Sequence, residues 1–187
     1  MEHLLLLHGA IGAKDQLQPM ADILQEKYKV HTIDFTGHGG STIPQEPFSI
    51  SLFATQVLEY LQEKNIDKAH LFGYSMGGYV AMYLAKDHPE KINKCITLAT
   101  KFYWDENVAA KEVKKLDPAI IQQKIPAFAQ QLKERHAPQD WELLLKKTSE
   151  LLEQLGKNNA LQLADYTGID TPALLLLGDR DKMITLE

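Results

Sequence analysis

The sequence predicts an α/β fold, a mostly parallel sheet flanked by helices with an all-helical cap insertion, in a chain of 187 residues. Two observations predict it. Short apolar runs at 4–7, 69–74, 92–99 and 173–177 read as buried strands, and several are ended by glycine. Segments with apolar residues at helical spacing lie between them, and strand–helix–strand alternation at these intervals builds parallel sheets with right-handed crossovers.

Each element has its own justification. Residues 4–7 are all leucine and are closed by His8 and Gly9. In 15–27, Leu17, Met20, Ile23 and Leu24 keep helical spacing. Residues 29–35 alternate like a strand and stop at Gly37-His38-Gly39-Gly40. Ser49 or Ser51 caps a helix running through Leu52, Val57, Leu58 and Leu61. A strand at 69–74, a helix at 76–87 and a strand at 92–99 follow. From 100 to about 166 the alternation breaks into three helical stretches, roughly 105–115, 117–135 and 139–156. Pro126 divides or kinks the second, and Gly156 stops the third. An all-helical insertion between two strands reads as a lid. The expected plan is a core of 1–99 and 167–187, with a cap of 100–166.

Composition narrows the function classes. A hydrophobic fraction of 44% and a charged fraction of 24% are those of an ordinary globular protein. The net charge of −5 argues against nucleic acid or an anionic membrane as main partner. The one cysteine, Cys95, lies in an apolar run, so it reads as a buried strand residue; a disulfide framework is excluded, and a reducing compartment, the cytoplasm, is expected. Four leucines cannot span a membrane. No metal-ligand cluster or phosphate-binding loop is visible, so no cofactor and no metal are expected.

The most informative stretch is Gly73-Tyr74-Ser75-Met76-Gly77. It reads G-x-S-x-G after the apolar His70-Leu71-Phe72 and before an apolar helical segment, the pattern of a nucleophile elbow. The tight turn strains the serine backbone, and glycines beside it let strand and helix approach closely. Ser75 is therefore the candidate nucleophile, weak until a base removes its proton.

Five ordered segments resemble the α/β-hydrolase fold superfamily, in its serine esterase and lipase-like form with a helical cap. They are Leu-Leu-His8-Gly9-Ala10, Asp34-Phe35-x-Gly37-His38-Gly39-x-Ser41, Gly73 to Gly78, the cap, and Leu-Gly178-x-x-Asp181. The resemblance covers nearly the whole chain. It implies backbone N–H donors from Ala10 and Met76 to a developing oxyanion. It implies Asp181 as the acid that orients a histidine, with Asp179 as a rival whose place directly after the glycine fits turn chemistry. It also implies a carboxylic ester or related acyl compound as substrate, mildly a small-to-medium apolar acyl group. The alternative is a binding module without turnover.

Other marked residues have structural readings. His8 supports the loop carrying Ala10. His38 belongs to a structural loop. Phe102, Tyr103 and Trp104 line an acyl pocket or cement the cap to the sheet. Lys111, Lys114 and Lys115 form a solvated helix face. His136 ends a cap helix, where a cation is favoured.

The resemblance places its catalytic histidine after the acid. This sequence has no histidine after His136 and ends six residues beyond Asp181. The expectation is therefore a truncated member lacking the last strand, the histidine loop and the closing helix, with impaired activity. The leucine-rich strand at 173–177 would then be an open sheet edge, suited to pairing with a second copy.

Overall fold

A computed structural model of the chain describes residues 1–181; 182–187, the end of the expected core segment, lie outside the described residues. Five strands form one parallel sheet in the order β2-β1-β3-β4-β5. They are β1 His3–Leu7, β2 Lys29–Thr32, β3 Ala69–Tyr74, β4 Ile92–Leu98 and β5 Ala173–Leu176. The helices α1 Gln18–Leu24, α2 Ile50–Glu63 and α3 Met76–Asp87 make the connections between the first four strands. Ser49 is the cap of α2, its hydroxyl accepting from the Leu52 N–H at 3.0 Å.

The leucine run of β1 is buried on both faces of the sheet. Leu4 and Leu6 pack with Leu17 and Ala21 on one side, while Leu5 and Leu7 join Phe35, Phe53 and Val80 on the other. That two-sided burial is why the run shows no alternation. The strand expected at 29–35 ends at Thr32. Beyond it Thr36 and Asp34 bond the side chain of Gln56 in α2, so the chain leaves the sheet while Ile33 and Phe35 stay buried.

Between β4 and β5 the chain is helical: α4 Glu106–Val113, α5 Pro118–Lys124, α6 Pro126–His136, α7 Trp141–Lys157 and the single turn α8 Leu163–Tyr166. Pro126 separates α5 from α6, as the sequence implies, because proline has no N–H to continue the helix but fits its first position. Gly156 does not stop α7, contrary to expectation. It lies inside the helix, where an added Cβ would meet the Ala109 Cβ at 2.7 Å and the Asp105 carbonyl at 2.9 Å. The glycine is there so that α4 and α7 can touch. Leu144, Leu151 and Leu155 of α7 belong to the same core as the sheet, whereas Ile121, Ala129, Leu132, Trp141 and Leu145 form a smaller cluster of their own.

Among the described residues β2 and β5 are the two edges of the sheet. Leu174, Leu175 and Leu176 are 52%, 57% and 41% exposed. By contrast Cys95, on the neighbouring β4, is buried, its thiol donating to the Ala81 carbonyl at 3.5 Å.

Candidate functional site

In a parallel sheet all carboxyl ends lie on one edge, and the site is built there from the ends of β1, β3 and β4. Ser75 is the single residue between β3 and α3, at φ 52° and ψ −114°. A left-handed φ costs a residue with a Cβ on the order of 1–2 kcal/mol, so the surroundings must hold it. The Ser75 N–H donates to the Leu98 carbonyl at 2.8 Å. Its own carbonyl accepts from the N–H groups of Gly78 (3.0 Å) and Tyr79 (3.2 Å) and from the Thr100 hydroxyl (3.0 Å). A Cβ on Gly73 would overlap the Gly77 backbone, and one on Gly77 would overlap the Leu7 carbonyl. The elbow thus brings three backbones into contact. Of the three further non-glycine residues with positive φ among the described residues, Ile11 (54°) and Ala99 (51°) stand beyond β1 and β4, while Asn65 (54°) follows α2. Ser75, Ile11 and Ala99 thus share the carboxyl end of the sheet.

The loop after β1 closes on that elbow. The Gly12 N–H donates to the Gly9 carbonyl at 3.1 Å, which makes Ala10 and Ile11 the centre of a tight turn. A Cβ on Gly9 would sit 3.2 Å from the Ser75 Cβ, so turn and elbow abut. Met76 is the first residue of α3, where helix N–H groups have no partner within the helix. Ala10, Ser75 and Met76 all line one cavity of about 430 Å3.

Three buried histidines hold this edge. His8 Nε2 accepts from the Phe35 N–H at 3.0 Å, which leaves Nδ1–H to donate to the Gly9 carbonyl at 2.8 Å. His136 Nδ1 accepts from the Gly39 N–H at 3.1 Å, and its Nε2–H donates to the Ile11 carbonyl at 3.0 Å. His38 lies between them, its ring 5.1 Å from that of His8 and 6.0 Å from that of His136, with Nδ1 against the Thr36 carbonyl at 3.1 Å. Burial pushes His8 down to about 4 and His38 to about 3, and lowers His136 as well. His136 is therefore not a cation stabilising a helix end. It is a neutral imidazole tying α6 to two loops.

None of the seven histidines reaches the Ser75 hydroxyl among the described residues. The remaining four are engaged elsewhere: His3 with His31, His31 with Tyr60, His70 with Glu2 and His88 with Glu90. Asp181 lies beyond β5, two strands from β3 at the same sheet edge, with its N–H closing a turn onto the Gly178 carbonyl at 3.1 Å. Asp179 is exposed beside Arg180.

The aromatic triplet divides. Trp104 lines the cavity, its indole N–H donating to the Lys101 carbonyl at 3.0 Å. Phe102 and Tyr103 do not line it. Phe102 packs between Tyr79 and Tyr166 and so cements the helical segment to α3, and Tyr103 is 69% exposed with its hydroxyl on Asp105. Lys101, Glu112, Lys115 and Arg135 also line the cavity, and sequence reasoning missed all four in that role. Lys115 is exposed with Lys111 and Lys114, as a solvated face requires, and it also bonds Glu112 at 2.8 Å. The i,i+3 spacing of Glu112 and Lys115 was the available signal.

Comparison with known proteins agrees with this geometry. The family model of the alpha/beta hydrolase fold matches residues 2–154. The chain is 36% identical over 98 residues to a pimeloyl-[acyl-carrier protein] methyl ester esterase of Aeromonas hydrophila, covering 52% of this chain and 37% of that protein. The protein of the same name from Neisseria meningitidis is 28% identical over 195 residues, covering 94% of this chain and 74% of its own length. The crystal structure of a bacterial membrane phospholipase A superposes with a TM-score of 0.79 at 25% identity, over 99% of this chain and 65% of that one. The chain spans 37% and 50% of the length of two of the curated relatives it matches. The match over 2–154, with the parallel sheet and the strained serine between β3 and α3, establishes that the chain belongs to the alpha/beta hydrolase fold family.

Proposed function

We propose that the chain carries the nucleophile, the oxyanion donors and the acyl pocket of a serine hydrolase for carboxylic esters or related acyl compounds. One observation carries the reading: Ser75, held at φ 52° on a strand-to-helix bend, lines a cavity of about 430 Å3 together with Ala10 and Met76. In this reading Ser75 Oγ attacks the ester carbonyl while a base takes its proton. The N–H groups of Ala10 and Met76 receive the negative charge that develops on the carbonyl oxygen. Collapse expels the alcohol and leaves an acyl-enzyme, which water then cleaves. Asp181 orients the base. The names of the relatives, methyl ester esterases and a lipase among them, support an ester as substrate.

No histidine of the chain reaches the Ser75 hydroxyl among the described residues, so in this reading the chain by itself turns over slowly. Loss of one triad member leaves only the residual catalysis of binding and oxyanion hole. Added imidazole supplies the missing group and tests the reading. Hydrolysis of p-nitrophenyl butyrate, corrected for the reaction of imidazole alone, should rise with imidazole, and Ser75→Ala should abolish the increment. Imidazole-independent burst kinetics lost in Ser75→Ala would show that the chain already holds a base. No increment at all would favour the alternative, a small-molecule-binding module without turnover.

Two further parts of the proposal concern the surroundings. No helix among the described residues is long and apolar enough to cross a membrane, and the buried lone thiol suits the cytoplasm. The exposed leucine edge of β5 suits pairing with a second copy of this chain. A monodisperse monomer by light scattering at tens of micromolar would overturn the second point.

A further inference from the structure

The wall of the Ser75 cavity is mainly apolar, with one charged sector. Lys101 Nζ and Lys115 Nζ each lie 2.8 Å from one oxygen of the Glu112 carboxylate. Burial pulls that carboxyl up, but the two ammonium groups outweigh it and hold Glu112 below the usual carboxylate range. Two cations and one anion leave a surplus positive charge. Arg135, reaching the same cavity from α6, adds another. Among the described residues Arg135 has no hydrogen bond or ion pair, and its Nε is buried without a partner.

Charge of this kind is not what a purely apolar acyl group requires. A guanidinium N–H removed from water and left unpaired is unfavourable, and the low dielectric that makes it so also strengthens attraction to an opposite charge. An apolar ligand filling the cavity would worsen the desolvation of Arg135 and leave the surplus uncompensated. A ligand with an anionic group offers what the sector lacks: acceptors for the fork-shaped donor array of arginine and a charge against the lysines. Lys101, 5.6 Å from the centre of the Trp104 ring, is already held in place on the wall.

We infer that the cavity takes an acyl or ester compound carrying a carboxylate, which lies against Arg135 and the Lys101–Glu112–Lys115 fork while the carbon chain lies on the apolar wall. This deepens the proposed function by naming a substrate class, a half-ester of a dicarboxylic acid. It rests on the reading of this cavity as the substrate site, but its test is one of binding and does not need turnover.

Three methyl esters that differ in the charge at their far end serve as probes, with dissociation constants read by calorimetry or, in a Trp141→Phe background, by the fluorescence of Trp104. In Ser75→Ala, monomethyl adipate should bind about tenfold more tightly than dimethyl adipate, and methyl 6-aminohexanoate should bind most weakly. The advantage of the monoanion should shrink as sodium chloride rises. Arg135→Gln should remove most of that advantage while leaving dimethyl adipate within about twofold, which also shows that the variant keeps its cavity. Equal affinities for the anion and the neutral diester, or binding of none of the three, would overturn the inference. So would an advantage that survives in both Arg135→Gln and Lys115→Gln. Preference for the monoanion without imidazole-dependent turnover keeps the carboxylate site and removes the hydrolase; turnover without preference does the reverse.

Discussion

His136 and Ile11 are 125 positions apart in sequence, yet the His136 imidazole donates from Nε2 to the Ile11 carbonyl at 3.0 Å. The acceptor belongs to the turn that presents the Ala10 N–H, and Ile11 is one of the strained residues there, at φ 54°. The other ring nitrogen takes the Gly39 N–H, so one side chain at the end of α6 fixes two loops of the sheet edge. His136→Ala leaves the partly buried Gly39 N–H and Ile11 C=O unpaired and empties the space of a fully buried ring. The expected cost is about 2–4 kcal/mol, read from urea unfolding. A loss below about 0.5 kcal/mol would mean that water replaces the ring without penalty.

Acid should destabilise the fold through the same cluster. His8 and His38 have native values of about 4 and 3, below the unfolded value of 6.5. The unfolded chain therefore binds more protons than the native chain between those values. Stability from these groups is complete above about pH 6.5 and falls as pH drops toward 4 and 3. With both histidines contributing, the slope approaches about 2–3 kcal/mol per pH unit near pH 5. His8→Gln should flatten it. A urea midpoint constant from pH 7 to 4.5 would contradict the buried neutral assignment.

Ser75→Gly separates strain from function. Glycine tolerates φ 52° without a Cβ penalty, so the variant should gain about 1 kcal/mol, a Tm rise of about 2–4 °C for a chain of this size. It should also lose any imidazole-dependent esterase activity. A lower Tm would show that the serine side chain contributes more than its backbone costs.

Gly156→Ala opposes two effects of similar kind. Alanine in a helix interior is favoured over glycine by about 1 kcal/mol. Here the new methyl would stand 2.7 Å from the Ala109 Cβ and 2.9 Å from the Asp105 carbonyl, and backbone cannot swing aside as a flexible side chain can. Overpacking of about 1–3 kcal/mol should win, giving net destabilisation in chemical denaturation. Gly168→Ala is the control, since only the Asp165 carbonyl comes near, at 3.6 Å.

The parts of the fold that were legible are those where local chemistry and tertiary need coincide. β3 and α3 fall where the apolar run and the G-x-S-x-G turn place them, because close backbone approach at Gly73 and Gly77 leaves no other residue type. Pro126 marks a helix start by its missing N–H wherever it stands. Gly156 was misread because glycine after a helical run also signals a stop, and only the position of α4 decides between the two. His136 is structural at a helix end, as read, but its charge was misjudged because its partners, Gly39 and Ile11, lie 97 and 125 residues away. At the site, Ser75, Ala10, Met76 and Trp104 meet at one cavity; the Glu112–Lys115 pair was signalled by its spacing, but its place on the cavity wall and that of Arg135 were not. Charged residues on amphipathic helices look solvated until the face they share with a cavity is known.

Cys95 turns the buried middle of the sheet into a clock. Its thiol, shielded within β4 and pushed up to about 12 by burial, forms almost no thiolate near neutral pH. With one cysteine in the chain, every alkylation event reports the same place, and it requires α3 to lift from β4, since the thiol lies against the Ala81 carbonyl of that helix. The rate of modification then measures how often α3, the helix that begins at the Ser75 elbow, leaves the sheet.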